Sequence, residues 1–100
     1  MKNFATGTVT GTGAAINVPL GWTPDYIKVI NITDGDRIDE WVAGMAAGTA
    51  VTTTAQVATT ATNGLSLHAG NEAASKGFTI GSGISESGKT LGWVAQRNVG

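Results

Sequence analysis

The chain has no cysteine. That excludes a disulfide framework and any thiolate metal site, and it fits a reducing compartment. Charge is nearly as scarce. Lys and Arg number 6, Asp and Glu number 7, and the net charge is −1, where an ordinary soluble domain carries about 25% charged residues. So few cations cannot build a basic face, so a nucleic-acid partner is not expected. No apolar run approaches the roughly 18 residues of a membrane-spanning helix, so no membrane partner is expected. Met1-Lys2-Asn3-Phe4 lacks the apolar stretch of a secretion signal. There is a single histidine, His68. With no cysteine and no second histidine it makes a poor metal ligand, and catalysis would need a partnered nucleophile and base. No metal, no cofactor and no enzymatic activity are therefore expected.

What the chain has instead is Thr, Val, Ile, Ala and 15 glycines. Glycine interrupts every segment that could otherwise make a helix of useful length, and strand signals recur at short spacing. The composition predicts one all-β domain. A domain of 100 residues buries only roughly 60–65% of the surface its unfolded chain exposes, so association with other copies would help it. The low charge has two readings. A Thr, Ser and Asn surface costs little to desolvate, which suits a protein pressed against partners; equally, a small β protein places Thr on its strands.

Along the chain, Ile16, Val18 and Leu20 alternate with Asn17 and Pro19, which reads as a strand near an edge. Residues 26–32 are nearly continuously apolar and predict a central strand. Asp34-Gly35 supplies the positive-φ positions of a tight turn, and the return strand 37–42 brings Trp41 to the core. Residues 44–48 form a loop, and 49–61 one or two strands. Asn63-Gly64 predicts a further turn, then comes the alternation Leu65-Ser66-Leu67. Residues 69–77 read as an irregular loop, 78–80 as a short strand, and 90–96 as a last strand with Leu91, Trp93 and Ala95 on one face. Thr6, Thr8, Thr10 and Thr12 share one side of an N-terminal Thr/Gly segment. Residues 1–13 are an N-terminal arm or a first strand, and 14–100 a single domain.

Four patterns could carry chemistry. Gly83-Ile84-Ser85-Glu86-Ser87-Gly88-Lys89-Thr90 fits the phosphate-loop pattern G-x-x-x-x-G-K-[ST]. The chemistry needs a helix directly after the loop, whose first amides hold the phosphates. Leu91-Gly92-Trp93-Val94-Ala95 reads as a strand, so a β-hairpin turn is expected. Asp34, Asp36, Asp39 and Glu40 offer carboxylates for Ca²⁺, but their spacing is not that of a calcium loop, and on a strand Asp39 and Glu40 point to opposite faces. A solvated hairpin tip is the expectation. Ser66 lies two residues from His68, which by itself means nothing specific. Trp22, Trp41 and Trp93, with Tyr26, could stack on a sugar. Trp41 and Trp93 sit in strand patterns and belong to the core, whereas Trp22, in a Gly/Pro turn, is expected to be partly exposed.

The run Val18-Pro19-Leu20-Gly21-Trp22-Thr23-Pro24-Asp25-Tyr26-Ile27-Lys28-Val29-Ile30-Asn31 resembles a segment of small tailed-phage virion proteins. Trp41-Val42-Ala43-Gly44-Met45, Gly77-Phe78-Thr79-Ile80-Gly81, Ser87-Gly88-Lys89-Thr90-Leu91 and Trp93-Val94-Ala95-Gln96-Arg97 are similar to further elements of those proteins, in the same order. The resemblance implies an antiparallel β-sandwich, jelly-roll-like, in a capsid decoration (cement) protein. Such a protein sits on the outer surface of the virion's capsid, binds the major capsid protein, and is often a homotrimer. The alternative is a carbohydrate- or receptor-binding module of a phage tail or fibre. The residues expected to meet a partner are Phe4, Thr8, Thr10 and Thr12 in the N-terminal segment, Trp22, His68, and Asn71, Glu72 and Lys76 in the irregular loop.

Overall fold

A computed structural model describes residues 4–35, 37–53, 57–70 and 76–97, with the backbone alone for 57–62. The expected alternation becomes eight strands: β1 (Phe4–Thr10), β2 (Ile16–Pro19), β3 (Tyr26–Asn31), β4 (Ile38–Val42), β5 (Thr49–Thr53), β6 (Val57–His68), β7 (Gly77–Ile80) and β8 (Thr90–Gln96). Among the described residues there is no helix. All pairings are antiparallel, and the strands form one sheet in the order β1-β8-β3-β4-β5-β6-β7-β2. The all-β antiparallel expectation therefore holds, and the N-terminal segment is a strand of the sheet.

The sheet cannot be flat. Its edges, β1 and β2, are consecutive in the chain and joined only by residues 11–15. Eight flat strands at about 4.8 Å spacing would put the edges about 34 Å apart. The connection spans at most about 22 Å even when fully extended. The sheet curls into a half-barrel so that its edges approach at one end.

A break in the ladder lies in β6. Its first half pairs with β5 and its second half with β7. At the change of partner, Thr49 faces Leu65 while Ala50 faces Thr60, so residues 61–64 have no register partner on β5. Asn63 takes a left-handed conformation there, with φ 58°, which Asn tolerates better than most side chains. The turn signal of Asn63-Gly64 is thus real, but it makes a bulge inside one long strand rather than a connection between two. Neighbouring glycines lock it: the Gly64 N–H donates to the Gly48 carbonyl at 2.8 Å, the Gly81 N–H to Gly64 at 2.7 Å, and the Gly83 N–H to Asn63 at 3.0 Å.

Residues 81–89 also depart from expectation. They do not close a hairpin, because β7 and β8 lie on opposite sides of the half-barrel and share no pairing. The segment crosses the gap between the two sides, as residues 11–15 do. The two connections bind each other: the Gly11 N–H donates to Lys89 O at 2.8 Å, Gly88 N–H to Gly11 O at 3.0 Å, and Gly13 N–H to Ser85 O at 2.7 Å.

The concave face is filled with side chains. Ile27, Val29, Trp41, Ala50, Leu65, Phe78, Ile80, Leu91 and Ala95 are buried, and Val18, Trp22 and Ile84 join them in one core. The sides meet where the rings of Phe78 (β7) and Trp93 (β8) pack edge to face, with centroids 5.5 Å apart. Each fully buried large side chain in this set contributes roughly 1.5–3 kcal/mol. Trp93 passes beneath Gly7, where a Cβ would stand 2.9 Å from its ring, and its Nε1 is buried with no partner among the described residues.

Candidate interaction surface

Register places the outward side chains in rows across five strands. Thr6 (β1), Val94 (β8), Lys28 (β3), Glu40 (β4) and Val51 (β5) form one row. Thr8, Gly92, Ile30, Ile38 and Thr53 form the next, and Phe4, Gln96, Tyr26 and Val42 a third. Across these rows the charges are Lys28 and Glu40, of opposite sign and directly opposed. Phe4, Val42 and Val51 are exposed, and Tyr26, Ile30, Ile38 and Val94 are half-buried without reaching the core. Ile32, also exposed, lies over Gly92, where an added Cβ would stand 2.7 Å from its Cδ1. The result is a broad convex face that is apolar or hydroxylated almost throughout.

Tyr26 organises one corner of this face. Its hydroxyl donates to Glu40 Oε2 at 2.7 Å. Burial of the phenol, reinforced by that bond and by the Glu40 charge, pushes its pKa from 10.0 to about 12.

The expected partner residues are spread over the molecule. Phe4, Thr8 and Thr10 lie on the outward stripe of β1. Thr12 is exposed in the first crossing connection, where its N–H donates to Ser85 Oγ at 3.0 Å and its hydroxyl to the Ala14 carbonyl at 3.2 Å. His68 ends β6, half-buried, and its Nδ1 accepts the Gly70 N–H at 3.2 Å. Lys76 is exposed, and its carbonyl accepts the N–H groups of Leu20 and Gly21 at 2.8 Å each. Asn71 and Glu72 lie outside the described residues.

Trp22 must be corrected. It is only 8% exposed and belongs to the core. Gly21, at φ +84°, reverses the chain after β2, and the two bonds to Lys76 fold the segment back over the barrel end. Arg97 then covers the indole, its guanidinium carbon 5.0 Å from the ring centroid. The sugar-stacking platform expected at Trp22 has no open ring there.

The phosphate-loop pattern has neither the helix nor the amides that its chemistry needs. Strand β8 follows it directly. The N–H groups of Ile84 and Ser85 both donate to Gly81 O at 3.0 Å, Glu86 to Ile84 O at 2.9 Å, and Lys89 to Glu86 O at 3.2 Å. The Lys89 ammonium pairs with Asp34 at 3.2 Å. The loop's donors thus serve its own shape and its clamp on residues 11–13.

The acidic group does not converge either. Asp39 and Glu40 point to opposite faces, as the strand period requires. Asp39 is 1% exposed, which corrects the solvated-tip expectation for it. Arg37 grips its carboxylate through Nε at 3.0 Å and Nη2 at 3.2 Å, and the Thr52 hydroxyl donates to Oδ1 at 2.6 Å. Asp34 sits outside, bonded by Asn31 and Lys89. Asp36 lies outside the described residues. Among the described residues no three His, Cys, Asp or Glu side chains gather as metal ligands.

What the fold and surface define is an all-β half-barrel whose largest chemical feature is a nearly uncharged outer sheet face. No family model matches the chain, and neither a curated protein nor a solved structure is significantly similar to it.

Proposed function

We propose that the chain is a decoration protein of a tailed-phage capsid, seated on the outer surface of the particle and binding its major capsid protein. The observation that carries this reading is the outer face of β1, β8, β3, β4 and β5. A stable interface buries about 800 Å² on each partner, and a face of Thr, Val and Ile rows gives up little hydration on docking. Its two charges, Lys28 and Glu40, are of opposite sign and stand at opposed register positions. The sequence resemblance points the same way. The sandwich, jelly-roll-like reading is supported by the corner at Asn63, which divides the sheet into two leaves whose inner side chains meet at Phe78 and Trp93. The protein acts mechanically: bound across neighbouring capsid subunits, each added attachment is intramolecular and strengthens the whole by avidity, so the shell resists internal pressure.

The test begins with location. Mass spectrometry of separated heads and tails should find the protein with heads. Val42→Lys with Val51→Lys, both at exposed positions, should leave the fold intact and lower its occupancy on heads at least tenfold. Recovery with tails alone, or unchanged occupancy of the double variant, would refute the proposal.

A further inference from the structure

Edge strands expose unpaired backbone groups, and proteins usually defend them with charge, proline, bulges or brevity. Strand β2 is defended by its length of 4 residues and by Pro19. Strand β1 has 7 residues, no proline, no charge and an unbroken register with β8. No charged residue occurs between positions 4 and 24. Among the described residues the open edge is therefore undefended.

Its backbone phase follows from the bonds around β8. Lys89 O accepts the Gly11 N–H and Trp93 O the Thr6 hydroxyl, so odd-numbered residues of this segment face β1. Thr90 O accepts the Ile32 N–H and Gln96 O the Asp25 N–H, so even-numbered residues face β3. In the observed register, Ala5, Gly7 and Val9 stand opposite Ala95, Trp93 and Leu91, and these pairs exchange the ladder bonds. Phe4, Thr6, Thr8 and Thr10 consequently turn their N–H and C=O groups to the open edge.

We propose that this edge pairs with the same edge of a second copy, antiparallel about a two-fold axis through Gly7. In that register Phe4 meets Thr10, Thr6 meets Thr8, and Ala5 meets Val9 of the other copy. Four pairs would exchange about eight N–H···O bonds. The outward Thr side chains form cross-strand hydroxyl pairs. Ala5 and Val9, half-buried at the rim of the barrel, gain apolar neighbours. Gly7 meets Gly7 at the axis with no side chain to separate the strands, and no charge on either edge repels the other. The pairing uses the backbone edge and leaves the outer side-chain face uncovered, so it stands or falls separately from the capsid proposal.

Thr8→Pro is the discriminating variant. The Thr8 N–H faces the open edge, so proline there removes no bond to β8 and suits an edge strand. Sedimentation equilibrium over a wide concentration range should show the wild-type chain, 10.1 kDa, moving to twice that mass. Thr8→Pro should weaken this association at least tenfold while keeping the wild-type circular dichroism, and Thr8→Val should associate like wild type. A wild-type mass that stays at one chain overturns the proposal, as does an assembly, trimers included, that Thr8→Pro leaves intact. Should Thr8→Pro not fold, hydrogen exchange on the wild type decides. Protection of the Thr6 and Thr8 amides that rises with protein concentration supports the pairing, and exchange independent of concentration overturns it.

Discussion

At the scale of single residues, the outer face owes its neutrality to two charges of opposite sign. Lys28 and Glu40 face each other across β3 and β4, and Glu40 also holds the Tyr26 hydroxyl. The phenol's pKa of about 12 has a consequence for stability with a definite sign. Below pH 10 the phenol is protonated in folded and unfolded chains alike, and the contribution of its environment is complete. Between 10 and 12 the unfolded chain ionises first, because its phenol keeps the ordinary value of 10.0. Stability is then lost as pH rises through that window. Tyr26 is the only tyrosine, so phenolate absorbance reports on it alone. The native protein should titrate near 12 and the denaturant-unfolded protein near 10. Glu40→Gln should lower the native midpoint only part of the way, since burial is the largest cause of the shift. A native midpoint near 10 would show the phenol to be solvated.

At the scale of elements, the corner of β6 decides the shape, because it passes the sheet from one side of the half-barrel to the other. Its glycine neighbours are there for space. A Cβ on Gly81 would stand 2.2 Å from the Asn63 carbonyl oxygen, a backbone atom that cannot swing aside. Gly81→Ala should cost about 3 kcal/mol or more, at the upper end of overpacking penalties. Asn63→Ala should cost only about 1 kcal/mol, the burden of a left-handed alanine, and Asn63→Gly should be nearly neutral. Urea unfolding of the three variants measures the ranking, and equal effects would mean that the corner is not held by this close approach. The corner also shows where sequence reading stops. The period-two alternation of residues 16–20 and 65–67, the nearly continuous apolar run of 26–32, and the Asp34-Gly35 turn are local signals, and they placed strands correctly. Asn63-Gly64 carries the same local signal as a hairpin. Only the partners on either side, β5 and β7, make it a bulge. Trp22 is of the same kind: Gly21 announces a reversal, but whether the indole then faces water or core depends on Lys76, far along the chain. The candidate face was half legible. The Thr stripe of β1 follows from alternation alone, whereas Val94, Lys28, Glu40 and Val51 join it only through register between distant strands.

At the scale of the whole molecule, the order of strands sets the order in which stability can arrive. Strand β8, the last of the sheet, lies between β1, the first, and β3. Its Leu91 and Ala95 are fully buried, and it supplies the ring that meets Phe78 across the barrel. Until it docks, β1 has no partner in the sheet and β3 has only β4. The crossing connections also need residues on both sides of the gap, since Gly11 and Gly13 bond to Lys89 and Ser85. Loop-closure entropy must therefore be met over almost the whole chain before β1 and β3 gain β8 as their partner, which belongs to slow, high-contact-order folding. A chain ending at Lys89 should consequently show no cooperative thermal transition, and its amide resonances should collapse into the narrow range of an unfolded polypeptide. Adding a synthetic peptide of residues 90–97 should restore dispersion, because the missing strand needs only a slot between β1 and β3, not covalent linkage. Dispersed resonances in the truncated chain alone would mean that β2 to β7 hold a core without the strand that joins β1 to β3, and the sheet would then not fold as one cooperative unit.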